Sequence, residues 1–264
     1  MTARRKENAG AGVAIVTGGR RGIGRAICEA LAARRFGILV VDLEDDDDAK
    51  KTVASLRGRG AAAEFYRADV GDESTHAYML TAASAIGPLT TLVNNAGVSS
   101  TVRGDMLDLP AESLDRALRV NLRAPFLLSQ AFAKKLIQSG PAPDRLFRSI
   151  VNITSVNVTI LGVNRPDYCM TKAALSTMTR LFAARLADEG IHSYEVRPGI
   201  TMTEMTAPSR EKYDQVIQDG LVPMRRWGEP VDVGEAVAAL AAGAFRFSTG
   251  DAVHVDGGLH MYRL

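Results

Sequence analysis

One octapeptide constrains this chain more than any other: Thr17-Gly18-Gly19-Arg20-Arg21-Gly22-Ile23-Gly24. It follows the apolar run Val13–Thr17 and opens a stretch, 22–35, in which Ile23, Ala26, Ile27, Ala30 and Leu31 recur at i, i+3, i+4, i+7 and i+8. That recurrence is the period of a helix with one buried stripe. The run before it is continuously apolar, as in a strand covered on both faces. Strand, glycine turn and helix together imply a right-handed crossover to a parallel neighbour. Glycines at the turn also let the backbone approach a pyrophosphate, whose charge then lies at the helix N-terminus.

The alternation continues to the end of the chain. Further strand candidates lie at 37–42, 62–67, 91–94, 149–153, 192–197 and 252–255. Helical stretches separate them, which predicts an α/β fold: a Rossmann-type, doubly wound, parallel seven-stranded sheet with helices on both faces. No repeat or linker divides the chain, so residues 1–264 are expected to form a single dinucleotide-binding and catalytic domain. With 46% hydrophobic and 23% charged residues there is ample material for its core. Residues 1–12 are basic and rich in Gly and Ala, lack the apolar stretch of a secretory signal, and are read as a flexible tail. Two cysteines, Cys28 and Cys169, build no disulfide framework, so a reducing, cytoplasmic setting is expected. A net charge of +2 argues against a nucleic-acid partner. No apolar run reaches the roughly 20 residues that span a bilayer, so no membrane partner is expected.

Asp42 closes the second strand, about twenty residues beyond the glycines, where a carboxylate can accept both ribose hydroxyls of NAD. The acidic run Glu44–Asp48 behind it reads as a solvated entry to a helix, and would also repel the 2′-phosphate of NADP. Arg20 and Arg21 pull the other way, since two positive charges stand at this turn. The expectation is NAD, with NADP the alternative. Farther on, Tyr168 and Lys172 stand four apart and share one face of a helix. A phenol with a pKa of ~10 is a poor base at neutral pH. An ammonium at ~4 Å and an effective dielectric of ~20 supplies about 4 kcal/mol, more than the roughly 2.7 kcal/mol that a two-unit drop requires. On this reasoning Lys172 should pull the Tyr168 phenol toward neutral pH. The four histidines, His76, His192, His254 and His260, show no metal-ligand spacing, so no metal is expected.

The order of these motifs resembles the short-chain dehydrogenase/reductase family from Val13 to Gly258. The TGxxxGxG turn is followed by Asp69-Val70, by Asn94-Asn95-Ala96-Gly97, by Asn121, by Ser155 thirteen residues before Tyr168, by Tyr168-Cys169-Met170-Thr171-Lys172, and by Pro198-Gly199 with Thr203. The resemblance implies a catalytic set of Asn121, Ser155, Tyr168 and Lys172. Ser155 would bind the substrate oxygen, Lys172 the nicotinamide ribose, and Asn121 a water linking Lys172 to solvent. It implies cofactor contacts from Gly18, Arg20, Arg21, Gly22, Ile23, Asp42, Asp69, Val70, Asn95, Ala96, Gly97, Tyr168, Lys172, Pro198, Gly199, Thr201 and Thr203. Hydride transfer between a nicotinamide cofactor and a secondary alcohol or ketone follows, 3-oxoacyl reductase-like activity among the options, in a homotetramer. Glu195 departs from the asparagine that many members carry, and is expected to affect strand packing and not chemistry.

The pocket wall is expected at Ser99–Arg103, Val156–Arg165 and a substrate lid, Thr201–Trp227, where Met202, Met205, Met224 and Trp227 offer an apolar surface. Arg103, Arg165, Arg225 and Arg226 are candidates to anchor a carboxylate or phosphate on a small-molecule substrate. The alternative function is a non-catalytic NAD(P)-binding sensor or scaffold on the same fold.

Overall fold

A computed structural model describes residues 11–143 and 146–261. All seven expected strands form: β1 (Val13–Thr17), β2 (Gly37–Asp42), β3 (Ala63–Arg67), β4 (Leu89–Asn94), β5 (Arg148–Ile153), β6 (Ile191–Pro198) and β7 (Ala252–Val255). They lie in one parallel sheet in the order β3-β2-β1-β4-β5-β6-β7. Among the described residues eight α-helices connect them: α1 (Gly22–Ala33), α2 (Asp47–Gly58), α3 (His76–Ile86), α4 (Ala111–Leu118), α5 (Ala124–Gln138), α6 (Pro166–Leu186), α7 (Arg210–Gln218) and α8 (Pro230–Ala241).

Why the strands read as unbroken apolar runs is visible in β1. Ala14 and Val16 face one layer, with Ile27 and Leu31 of α1, Leu56 of α2 and Val237 of α8. Val13 and Ile15 face the other, with Met79 of α3 and Leu128 and Phe132 of α5. Alternate side chains go to opposite faces, and both faces are covered. A fully buried side chain of this size contributes roughly 1.5–3 kcal/mol.

The chain winds outward from β1 through β2 to β3, then returns to lay β4 on the other side of β1. The loops after β1 and β4 therefore leave in opposite directions and open a crevice at the carboxyl ends of the strands, where ligands bind in open α/β sheets. Residues 1–10 of the expected tail lie outside the described residues. Ala11 and Gly12, also counted in that tail, are tied down: Ala11 N–H donates to the Arg35 carbonyl at 3.2 Å, and the Gly12 carbonyl accepts from Gly37 at 2.9 Å. Among the described residues no helix is long and apolar enough to cross a membrane.

Candidate active site

The crevice is stapled shut at its base by Thr17 and Asn95. Thr17 Oγ1 accepts from the backbone N–H groups of Asn95 and Ala96, each at 3.0 Å, and Asn95 Nδ2 donates to the carbonyls of Thr17 and Gly18 at 2.9 and 3.0 Å. The glycine turn is packed so closely that a Cβ on Gly24 would lie 1.9 Å from the Gly18 carbonyl oxygen. The result is a bare backbone cradle ahead of α1, the shape that receives a pyrophosphate. Pro198 and Gly199 extend the rim from β6, and Gly199 donates to the Val255 carbonyl at 2.9 Å. Thr203 stands over the cradle, its Cγ2 3.9 Å from where a Gly22 Cβ would be. Thr201 bridges to Gly228 and so closes the base of the expected lid.

At the end of β2, Asp42 accepts from the Arg20 backbone N–H at 3.2 Å and from Leu43 at 2.8 Å. The Arg20 side chain is buried and turned onto the acidic run: its Nη1 lies 2.8 Å from Glu44 and also bonds Asp46, while its Nε lies 3.6 Å from Asp42. Arg21 pairs with Glu204. The acidic run is thus more than a solvated loop, since Glu44 and Asp46 bind Arg20 and Asp46 also caps α2 through Asp48 and Ala49. Asp69 accepts from Gly71 and from Arg119, each at 2.8 Å. Burial works against its charge, but these bonds outweigh it and hold the carboxyl below its ordinary value. Val70, beside it, is buried and its carbonyl meets His76 Nε2 at 2.8 Å.

The four residues of the expected catalytic set converge on the same crevice. Ser155 sits just past β5, Tyr168 and Lys172 on α6, and Asn121 in the π-helical segment Arg119–Arg123 between α4 and α5. Such segments often mark functional sites. Asn121 Oδ1 accepts from Val98 N–H at 2.8 Å, and its Nδ2 donates to the Val98 carbonyl at 2.9 Å and to Thr171 at 3.2 Å. Lys172 Nζ donates to the Ile153 carbonyl at 2.8 Å and lies 5.6 Å from the centre of the Tyr168 ring. Gly97 runs between the two: a Cβ there would meet Asn121 Oδ1 at 3.3 Å and Lys172 Nζ at 3.5 Å. Ser155 accepts from Asn157 N–H at 3.1 Å, and its hydroxyl favours the charged form of the Tyr168 phenol.

The electrostatics differ from expectation. Burial pushes the Tyr168 phenol above its ordinary value, and the Ser155 hydroxyl and the charge of Arg165 oppose this without reversing it. Burial also pushes Lys172 down to about 8, against the charge of Glu195, which favours the ammonium. The expected pull of Lys172 on the phenol is therefore not what dominates in the protein itself. One low-polarity environment penalises both charged forms. Glu195, expected to matter only for strand packing, reaches further than that. Fully buried, it accepts from Thr154 at 2.6 Å, Ser176 at 2.7 Å and Arg197 at 2.6 Å, and its charge acts on Lys172.

One residue that sequence reasoning missed is Asp167. Completely buried, it accepts from Ser113 at 2.7 Å, from the Tyr168 N–H at 2.8 Å and from Ser100, and so ties the wall loop 99–103 and α4 to the helix that carries Tyr168. The signal available was an acid in the first turn of a helix after Pro166, which dipole stabilisation alone already explains. On the remaining wall, Arg103 donates to Ser99 and Ser209, both at 3.2 Å, and Arg226 is held by Asp232 at 2.7 Å. Arg165 lies over the Tyr168 ring at 5.9 Å, and its buried Nε has no hydrogen-bond partner. Met202, Met205 and Met224 are exposed, and Trp227 donates to Asp214 at 2.7 Å. His254 and His260, which show no metal-ligand spacing in the sequence, meet in the fold at one carboxylate, Asp256. A strand end and a tight turn bring them together, which a linear spacing rule does not register.

A family model described as enoyl-(acyl carrier protein) reductase matches residues 18–260. The 3-oxoacyl-[acyl-carrier-protein] reductase FabG of Staphylococcus epidermidis is 30% identical over 251 residues, covering 94% of this chain and 98% of the relative. The (3R)-3-hydroxyacyl-CoA dehydrogenase of Rattus norvegicus is 33% identical, covering 94% and 96%. Among solved structures, a 3-oxoacyl-[acyl-carrier protein] reductase from Brucella melitensis in complex with NAD superposes with a TM-score of 0.92 at 43% identity, over 97% of this chain and all of that one. A putative 2-deoxy-D-gluconate 3-dehydrogenase from Agrobacterium tumefaciens with bound NADP gives 0.84 at 28%, over 95% and 96%. With the glycine cradle, the Ser155–Tyr168–Lys172 cluster and the seven-stranded topology already in place, these matches make the chain a member of the short-chain dehydrogenase/reductase family.

Proposed function

We propose that the chain moves hydride between a nicotinamide cofactor and a secondary alcohol or ketone, with Tyr168 as general acid and base. The observation that carries this reading is the convergence of Ser155, Tyr168 and Lys172 on one crevice, with Lys172 Nζ held by the Ile153 carbonyl at 2.8 Å and 5.6 Å from the centre of the Tyr168 ring. The cofactor, when bound, carries the hydride and in its oxidised form adds a positive charge at the site. It would be held by the bare backbone of Gly18, Gly22 and Ile23 at its pyrophosphate and by Asp42 at its adenosine ribose. Asp69, Val70, Asn95, Ala96 and Gly97 would line its course, with Tyr168, Lys172, Pro198, Gly199, Thr201 and Thr203 at the nicotinamide end. Ser155 donates to the substrate oxygen while Tyr168 gives it a proton in reduction or takes one in oxidation. Lys172, at about 8, is mostly protonated at neutral pH and favours the phenolate whenever Tyr168 is without its proton. Asn121 would hold the water through which that proton is restored from solvent.

NAD is the proposed cofactor. Arg20 is held by Glu44, Asp46 and Asp42, and Arg21 by Glu204, so neither cation is free to meet a 2′-phosphate. For the substrate, the names of the acyl reductases and dehydrogenases support a 3-oxoacyl or 3-hydroxyacyl compound. Arg165, close to Tyr168 and with an unpartnered Nε, supports an anionic group on the same molecule. Exposed Phe126, Met170 and Leu181 on α5 and α6 support assembly of copies into the homotetramer expected of the family. The test is turnover of a panel of 3-oxoacyl thioesters and sugar acids with NADH or NAD. Tyr168→Phe should lower kcat by roughly 10²–10⁴-fold while NADH still binds, the range that general acid–base catalysis contributes. Turnover that survives the change would remove Tyr168 from this role, and NADH binding without turnover of any panel member by the unaltered protein would favour the sensor reading.

A further inference from the structure

The turn that follows β7 carries a cluster that the hydride chemistry does not use. His254 and Asp256 are two apart on the end of a strand, so their side chains leave on the same face. Gly257 and Gly258 then take left-handed conformations, φ 61° and 86°, and fold the chain back on itself. His260 lands on top of His254, with ring centroids 3.9 Å apart. Both imidazoles present Nδ1 to the same oxygen: Asp256 Oδ2 is 2.7 Å from His260 Nδ1 and 3.5 Å from His254 Nδ1. Asp256 itself is buried and held by the N–H groups of Gly258 at 2.9 Å and His260 at 3.1 Å.

Two features distinguish this from a turn that merely closes on itself. The His254 Nδ1 atom is buried and makes no hydrogen bond, its nearest acceptor Asp256 Oδ2 standing 3.5 Å away, so a polar atom points into the cluster with its hydrogen-bonding capacity unused. The three ligand atoms also all lie within 4.8 Å of one another. Around a tetrahedral zinc with bonds of about 2.0–2.2 Å, ligand atoms stand about 3.3 Å apart, which small side-chain rotations here would reach. We propose that His254, Asp256 and His260 form a binding site for a divalent transition-metal ion of the zinc, cobalt and nickel class. Two imidazoles and one carboxylate select that class over magnesium or calcium, which take oxygen ligands.

Three protein ligands leave at least one coordination position open. The residues of the cluster line a cavity of about 370 Å³ that also includes Arg226, Trp227 and Asp232, and none of Asn121, Ser155, Tyr168 or Lys172 borders it. The ion would therefore lie apart from the reacting groups but against the loop that leads to them. Gly199 packs so tightly on this turn that a Cβ there would lie 2.6 Å from the Asp256 Cα. Metal binding at Asp256 would stiffen the Pro198–Gly199 rim from behind.

The test is titration of the purified full-length, chelator-treated protein with zinc by calorimetry, and with cobalt(II) by its visible ligand-field absorption. One ion per chain is expected, with cobalt absorption of a nitrogen- and oxygen-ligated site and a rise in melting temperature on adding zinc. His260→Phe keeps a ring over His254 and removes one ligand, and His254→Gln removes the other imidazole. Each should fold as the unaltered protein does by circular dichroism and bind zinc at least about 100-fold more weakly. No saturable zinc binding by the unaltered protein would overturn the proposal, and so would binding that either variant leaves unchanged.

Discussion

Arg20 turns its guanidinium back onto the acidic run, its Nη1 2.8 Å from Glu44 Oε2. An arginine beside a phosphate-binding turn would by residue type alone favour a phosphorylated ribose. Buried against Glu44, Asp46 and Asp42, it instead completes a patch in which three carboxylates surround one cation. A 2′-phosphate arriving there would meet net negative charge and lose its hydration.

Asp42→Ala removes the carboxylate proposed for the ribose, and Glu44→Gln with Asp46→Asn leaves Arg20 only Asp42 as an acidic partner while keeping an α2 cap that asparagine can supply. Each change should move the ratio of NADPH to NADH affinity upward by about tenfold or more, equivalent to about 1.4 kcal/mol. Calorimetric titration of both nucleotides reads the ratio directly. A ratio that stays where it was in all of these variants would refute the NAD assignment.

Much of the scaffold was legible because it rests on local rules. Unbroken apolar runs announce strands covered on both faces, and the Gly24 position is fixed by the turn it closes. The spacing from Ser155 to Tyr168 and Lys172 was legible through family resemblance, and the fold brings these residues together. What stayed hidden depends on tertiary placement. The partners of Arg20 could not be read because they depend on how the end of β2 sits against the turn after β1. The bond from Ser113 to Asp167 spans 54 residues, and nothing local distinguishes Asp167 from an ordinary first-turn acid. The raised Tyr168 follows from burial, which a charge argument between neighbours on one helix omits.

Lys172 makes stability depend on pH in a calculable direction. Its ordinary value of 10.5 falls to about 8 in the folded protein. Between about pH 8 and 10.5 the unfolded chain holds the proton that the folded chain has released, so stability gained from this group rises with pH across that window. Below pH 8 both states are protonated and the cost of burying the charge is fully present. Urea unfolding of the unaltered protein and of Lys172→Met at pH 7.5 and 10 should therefore diverge. The unaltered protein gains about 2 kcal/mol relative to the variant at the higher pH. No relative gain would mean that Lys172 is not depressed by burial.

Asp167 is predicted to hold both stability and substrate affinity. Asp167→Ala leaves Ser113, Ser100 and the Tyr168 N–H without their shared acceptor, each in or near the interior. A buried polar group left unsatisfied costs about 1–3 kcal/mol, so the variant should lose several degrees of melting temperature. Because the wall loop 99–103 is released as well, KM should rise more than kcat falls. Asp167→Asn, which still accepts hydrogen bonds, should recover most of the loss. If Asp167→Ala melts with the unaltered protein, the hydrogen bonds are not holding the loop.

The Arg21–Glu204 pair joins the phosphate-binding turn to the segment expected to act as a lid. Both side chains are largely exposed, and an ion pair in water contributes only about 0–1 kcal/mol to folding. Its effect should therefore appear in kinetics and not in stability. Thr203, beside Glu204, stands above Gly22, so if the pair holds this segment down, release of the nucleotide would have to wait for it to lift. Glu204→Gln should leave the melting temperature within about a degree while speeding NADH release several-fold in stopped-flow fluorescence. Added salt should speed release from the unaltered protein toward the variant's rate, because exposed charges are screened over about 10 Å at 0.1 M. Release rates that coincide at low salt would show that the pair does not gate the cofactor.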